Sequence, residues 1–238
     1  GGSVLLATLT LIKKDAIKIK GDVYAYDYNK QLIYTYKNIQ SNYKKLIKYI
    51  NKIIDEFNSI DGEVVNRDPN TIDEAKTSKE SYYYWTRKKY NLSTDEQQIS
   101  FKGSAKFIFL NKTCFRGVFR TSKSKKYFNV PYGHYPNPGI INEHSIKKIS
   151  KLIKNVKFEH LSFEKSLERV GNGDFTYLDS PYFPVNKKSF VGYTSDGFDK
   201  ATHDKLFEMM KELKNINWVM SNAAVDYVID TFDDKEKY

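Results

Sequence analysis

Apolar residues recur three and four positions apart through Leu32, Ile33, Tyr36, Ile39, Tyr43, Leu46, Ile47, Ile50, Ile53 and Ile54. That spacing predicts a helix over residues 29–57 with one apolar face, and Asn42 marks a break that divides it. An apolar run through residues 4–12 predicts an earlier helix, fed by a glycine turn at Gly1-Gly2-Ser3. Between the two, Val23-Tyr24-Ala25-Tyr26 reads as a strand ending in Asp27. Toward the other end, residues 142–153 predict a helix with Ile146, Ile149, Leu152 and Ile153 inward. A strand at 156–158 and a short helix at 163–170 follow. Phe175-Thr176-Tyr177-Leu178 reads as a buried strand ending in Asp179. A helix at 202–213, a strand at 218–220 and a helix at 223–229 complete the pattern. Strands alternating with helices at both ends predict an α/β fold with a parallel sheet.

The middle of the chain breaks this alternation. Residues 61–103 are polar and aromatic, and the run Tyr82-Tyr83-Tyr84-Trp85 suits internal packing. Residues 105–110 read as a short apolar strand. Residues 111–138 are rich in Gly, Pro, aromatics and cations, which predicts loops and a β-hairpin. The expected organisation is one α/β domain made of residues 1–57 and 142–238, interrupted by a second domain at 58–141.

Composition narrows the function classes. The 238 residues are 40% hydrophobic and 29% charged, which is globular rather than disordered. No run of about 18 apolar residues could cross a membrane as a helix, and no secretory signal opens the chain. The lone Cys114 excludes an intrachain disulfide framework and a Cys-based zinc cluster. The four histidines share no metal-ligand spacing, so no metal site is expected. Lys and Arg number 39 against 29 acids, for a net charge of +10. Only five are Arg, and the abundance of Lys, Asn, Ile and Tyr fits an AT-rich genome. Nucleic acid is still the best candidate polyanion, because cationic surfaces gain affinity by releasing its counterions.

Two acids sit where chemistry is expected. In doubly wound folds a glycine turn lets the backbone approach a nucleotide, and an acid ending the second strand binds ribose hydroxyls. Gly1-Gly2-Ser3 and Asp27 have that spacing. Asp179-Ser180-Pro181-Tyr182 follows an apolar strand, so its carboxylate lies at a sheet's ligand-binding end. Pro181 keeps Ser180 extended, and Tyr182 offers a flat face for a base.

With these motifs the sequence resembles the Dam-type (D12 class) adenine-specific DNA methyltransferases. Asp179-Ser180-Pro181-Tyr182 matches that family's Asp-Pro-Pro-Tyr motif, and Gly1-Gly2-Ser3 matches the tail of its cofactor loop. Asp27, in Tyr26-Asp27-Tyr28-Asn29, matches its ribose-binding acid. Residues 111–120 and 128–135 resemble its recognition segment. Residues 190–198 and Ser221-Asn222 extend the likeness over most of the chain.

The resemblance implies a Rossmann-like, S-adenosylmethionine-dependent methyltransferase sheet. The inserted target-recognition domain would be mainly helical with a β-hairpin. S-adenosylmethionine would be held by Gly1, Gly2, Ser3, Asp27, Phe163 and Asp179, with Phe163 packing on its adenine. Asp179, Ser180, Pro181 and Tyr182 would methylate N6 of an adenine flipped from double-stranded DNA. Phe115, Arg116, Arg120, Lys123, Pro131 and Tyr135 would contact the DNA, with Arg120 reading a guanine beside the target. Lys125 and Lys126 would touch phosphates. The implied target is a four-base palindrome with central AT, of CATG or GATC type. A restriction–modification or viral role is implied, inside a cell, with a cognate endonuclease as partner. Cytosine C5 methylation needs a catalytic Cys, and Cys114 lies in the recognition segment.

Ser180 replaces the family's first Pro, Ser162 replaces a frequent Asp, and Arg116 stands where relatives often have Asn. The family's cofactor motif upstream of the glycine loop is missing, so a fragment truncated at both ends is expected. The same residues allow two other readings: a catalytically inactive DNA-binding module, and a methyltransferase acting on RNA or another amino group.

Overall fold

A computed structural model describes residues 2–122, 124, 127–185 and 198–233. Gly1, Lys123, Lys125, Lys126 and all but Phe198 of the stretch 190–198 lie outside the described residues. The chain is of the mixed α/β class with small parallel sheets, and it divides into two compact units that meet in sequence at His160 and Leu161.

The first unit opens with α1 (Gly2–Lys13) and β1 (Tyr24–Asp27). Gly2 and Ser3 therefore form the first turn of a helix rather than a separate glycine turn. The spine is α2 (Lys30–Asn58), capped by the Asn29 side chain, which accepts from the Leu32 amide. Asn42 leaves helical geometry there (φ −158°, ψ 78°), and its Oδ1 accepts from Lys45 N at 3.0 Å, restarting the helix as a second cap. The buried face of α2 is Ile33, Ile39, Leu46, Ile47, Ile50 and Phe57.

Short α3 (Ile72–Ala75), α4 (Lys79–Asn91) and α5 (Asp95–Ile99) lead into α6 (Phe101–Thr113), which lies along α2. The strand expected at 105–110 is thus helix. Ser100 caps α6, and the helix is wedged between α2 and α4, burying Ala105, Phe107, Phe109 and Leu110. A helix buried on most faces shows an apolar run without a period, which length alone can separate from a strand. Among the described residues the expected hairpin is reduced to two isolated antiparallel bridges, Cys114 with Tyr132 and Thr121 with Phe128. The aromatic run packs inward, with Tyr82 and Tyr83 fully buried.

The unit closes with α7 (Glu143–Leu152) and β2 (Lys157–His160). β2 pairs in parallel with β1, setting Asp27 opposite His160. The Gln40 amide of α2 donates to the carbonyls of Ile153 and Val156 at 2.7 and 2.8 Å, fixing the turn between α7 and β2.

The second unit holds α8 (Phe163–Leu167), β3 (Phe175–Leu178), α9 (Lys200–Lys211), β4 (Asn217–Met220) and α10 (Asp226–Thr231). β3 and β4 pair in parallel, with Leu178 opposite Met220. The expectation of a buried β3 holds only at Leu178, since Phe175 is 67% exposed. The last helix starts three residues later than its apolar pattern suggested. The core is Leu167, Leu178, Leu206, Phe207, Met210 and Val228. Among the described residues no helix is long and apolar enough to cross a membrane, and no His, Cys, Asp and Glu cluster could hold a metal ion.

Candidate functional site

In the first unit Asp27 sits at the carboxyl end of β1, where the chain turns into α2. Its Oδ1 accepts from Asn29 N at 2.7 Å, a bond that joins the strand end to the helix cap. Burial raises the Asp27 carboxyl above its ordinary range, opposed by that amide. Tyr36, one turn into α2, stacks on Phe158 of β2 at 5.0 Å between ring centroids. Its hydroxyl is raised by burial first and by the neighbouring Asp27 charge second. A Cβ on Gly2 would lie 2.7 Å from the Tyr36 Oη, so glycine here lets the phenol end lie against the start of α1. Gly2 and Asp27 thus meet around Tyr36. Tyr36 escaped the sequence reading because it merges with the helix periodicity.

The segment after α6 has an inner and an outer side. Phe128, Val130 and Tyr132 point in and are buried, while Tyr127, Asn129 and Pro131 point out. Phe115 N donates to Pro131 O, Asn129 N to Arg120 O, and Gly133 N to Thr113 O, at 2.9–3.1 Å. These bonds gather the exposed Phe115, Arg116, Arg120, Pro131 and Tyr135 into one region of the first unit. Arg116 has φ +57° and Gly117 φ +62°, which turns the chain sharply outward. Arg116 N donates to the Tyr135 hydroxyl at 2.9 Å, and its guanidinium lies over the Phe115 ring. Arg120 Nε donates to Asn129 Oδ1 at 3.0 Å, so Asn129 orients it. Beneath the segment, burial pushes the Cys114 thiol up and leaves it protonated and unreactive. His134 lies 3.6 Å from the buried Glu80 carboxylate, which also accepts from Arg67.

In the second unit Asp179 follows β3 directly and is exposed. Ser180 Oγ is buried and has no hydrogen-bond partner. Tyr182 is 51% exposed, leaving its ring face available. Side chains from outside the loop fasten it. His203 Nε2, on α9, bonds Pro181 O at 2.9 Å, and Asn222 Oδ1, just after β4, accepts from Phe183 N at 2.8 Å. Ser221 N donates to Leu178 O, carrying the parallel ladder one residue further toward the loop. Phe163 packs against Phe198, whose ring meets that of His203 edge-on at 4.5 Å. His203 had no sequence signal beyond its place near a helix start, because its contact with Pro181 spans 22 residues.

The model of the D12 class N6 adenine-specific DNA methyltransferases matches residues 1–238. The chain is 35% identical over 235 residues to the type II methyltransferase M.MjaIII of Methanocaldococcus jannaschii, covering 98% of this chain and 73% of that protein. It is 28% identical over 213 residues to the type II methyltransferase M1.LlaDCHI of Lactococcus lactis subsp. cremoris, covering 87% and 67%. It is 34% identical over 137 residues to the Retron Ec67 DNA adenine methylase of Escherichia coli, covering 58% and 44%.

Proposed function

The chain belongs to the D12 class of N6 adenine-specific DNA methyltransferases, and on that premise we propose that it methylates a flipped adenine within a CATG- or GATC-type palindrome, using S-adenosylmethionine. It is a DNA (adenine-N6)-methyltransferase of restriction–modification type. A restriction endonuclease of the same specificity is the proposed partner, and the proposed place of action is the cell interior, on resident DNA.

The residues fit the cofactor. The half-buried carboxylate of Asp27 at the end of β1, with Tyr36 beside it, suits the two hydroxyls of a ribose. We assign Gly1, Gly2, Ser3, Asp27, Phe163 and Asp179 to it. S-adenosylmethionine supplies an electrophilic methyl group when bound.

The observation that carries the reaction is an acid and an exposed aromatic ring in one fastened loop, Asp179 to Tyr182. Flipping an adenine costs a few kcal/mol, of which stacking on an aromatic ring returns about 1–3 kcal/mol. Tyr182 provides that ring. The Asp179 carboxylate and the Ser180 carbonyl accept hydrogen bonds from the exocyclic amine. Two acceptors draw its N–H bonds out of the base plane, withdraw the nitrogen lone pair from the ring, and make it nucleophilic. No covalent enzyme intermediate is needed.

Phe115, Arg116, Arg120, Lys123, Pro131 and Tyr135 form the proposed DNA contact set, with Arg120 on a guanine. We assign residues 58–141 to target recognition, and residues 1–57 with 142–238 to the catalytic domain.

The test uses labelled S-adenosylmethionine and duplexes that differ only in the bases flanking a central AT. Label on adenine in one palindrome, abolished by Asp179→Ala, is the expected result. Normal transfer by Asp179→Ala would refute the assignment of the loop.

A further inference from the structure

We infer that His203 is a positioning residue for methyl transfer, setting the direction of the Asp179–Tyr182 loop by holding the Pro181 carbonyl. This rests on the reading that the loop carries the reaction.

His203 is 1% exposed, yet it is polar at both ring nitrogens. Nδ1 faces the Asp199 carbonyl at 2.9 Å, one turn back along α9. Nε2 faces the Pro181 carbonyl at 2.9 Å, 22 residues away in sequence. The first contact is local to the helix, and the second reaches into the loop. Phe183, Phe198 and Phe207 pack around the ring at centroid distances of 5.1, 4.5 and 5.9 Å, fixing its plane. The Pro181 carbonyl can only accept, so this bond places the ring proton on Nε2, and a ring held that firmly, in surroundings that exclude water, directs it.

The geometry of proline gives this bond its reach. Pro181 has no main-chain N–H and a nearly fixed φ. Fixing the plane that carries the Pro181 carbonyl therefore also restricts the preceding plane, which carries the Ser180 carbonyl. On the other side of Tyr182, Asn222 Oδ1 accepts from Phe183 N. The tyrosine and the acceptor carbonyl are thus held between two side-chain anchors, neither of which belongs to the loop. The same ring meets Phe198 edge-on, and Phe198 packs on Phe163, the residue assigned to the cofactor adenine.

Two substitutions separate the nitrogens. Gln carries its amide nitrogen near the position of Nε2 and keeps a donor toward Pro181. Asn carries its amide nitrogen near Nδ1 and places a donor only toward Asp199. Turnover of labelled S-adenosylmethionine on the cognate duplex is measured for the full chain and for His203→Gln and His203→Asn. A misplacement of about 1 Å costs roughly 10²-fold in rate, so kcat should fall by about that factor in His203→Asn. KM for both substrates should change little, as for an interaction used only in the transition state. His203→Gln should recover most of the rate. Equal losses in the two variants, or a raised KM with normal kcat, would overturn the proposal.

A second measurement needs no turnover. Amide exchange at Tyr182 and Phe183 should quicken in His203→Asn and remain near wild type in His203→Gln, with Met210 protected throughout. Unchanged loop exchange in His203→Asn would refute the anchor. Should that variant also lose Met210 protection, His203→Gln decides alone, and loss of its rate or loop protection counts against the proposal. Normal transfer by Asp179→Ala would instead remove the catalytic role of the loop, while the exchange data still report whether His203 anchors it.

Discussion

Asp27→Asn separates binding from folding at a single atom pair. The substitution removes the charge and keeps both the shape and the acceptor for Asn29 N, now at 2.7 Å from Oδ1. Hydrogen bonds to a charged group are worth about 1.5–3 kcal/mol, against about 0.5–1.5 kcal/mol for neutral ones. With two ribose hydroxyls on the carboxylate, as proposed, the expected loss is on the order of 1–3 kcal/mol, or about 5–150-fold in cofactor affinity. Folding responds in the opposite direction. Burial raises the Asp27 carboxyl above its ordinary value of 3.8. A carboxyl raised in the folded state contributes stability that is full below 3.8 and is lost as pH rises through its folded value. At neutral pH the buried charge is therefore a net cost, and Asn removes it. Isothermal titration with S-adenosylmethionine should show the weaker affinity, and urea unfolding at pH 7 should show stability that is unchanged or higher. Unaltered affinity together with lower stability would refute the reasoning, making Asp27 a structural acid with no ribose to bind.

Arg120→Ala should remove about 1–3 kcal/mol of discrimination at one base pair, read as relaxed selectivity among duplexes that differ at that pair, with transfer to the cognate site retained. Gly133→Ala places a Cβ 2.5 Å from the Tyr135 ring and 2.8 Å from the Cys114 carbonyl. It should destabilise the fold by about 1–3 kcal/mol in urea and weaken DNA binding with it. Tyr83→Phe deletes a buried hydroxyl that donates to Val130 O at 2.8 Å, but Arg87 Nη1 still reaches that carbonyl at 2.9 Å. Its cost should fall near the lower end of about 0.5–1.5 kcal/mol by thermal or urea unfolding.

The legible parts of the fold were those with one buried face. α2 declared itself through spacings of three and four, and Asn42 broke it visibly because its side chain competes for the backbone. Asp27 and Asp179 could be placed at strand ends from the apolar runs before them. α6 could not be identified, because neighbours on several sides erase the polar stripe that distinguishes a helix. The extra members of the site were hidden for a different reason. Tyr36 looked like one more core residue, and Asn129 like one more loop polar group. His203 matters through a carbonyl and rings supplied by other segments, and no local pattern encodes contacts made at such sequence distance.

Between Cys114 and Tyr132 the chain leaves the helical core and returns to the same point. The two residues form a bridge, and Gly133 N closes it onto Thr113 O at 2.9 Å. Within it Phe128 and Val130 are rooted in the core, whereas the outward positions are not. The closure entropy of a loop rises by only about 0.6 kcal/mol for each doubling of its length, so insertions and exchanges at the exposed positions of residues 115–131 are tolerated by the core. Such a neck permits rapid diversification. If these positions read the DNA as proposed, a lineage could revise the sequence it recognises by rewriting a few outward-facing side chains, while the helices that support them stay under separate and slower constraint.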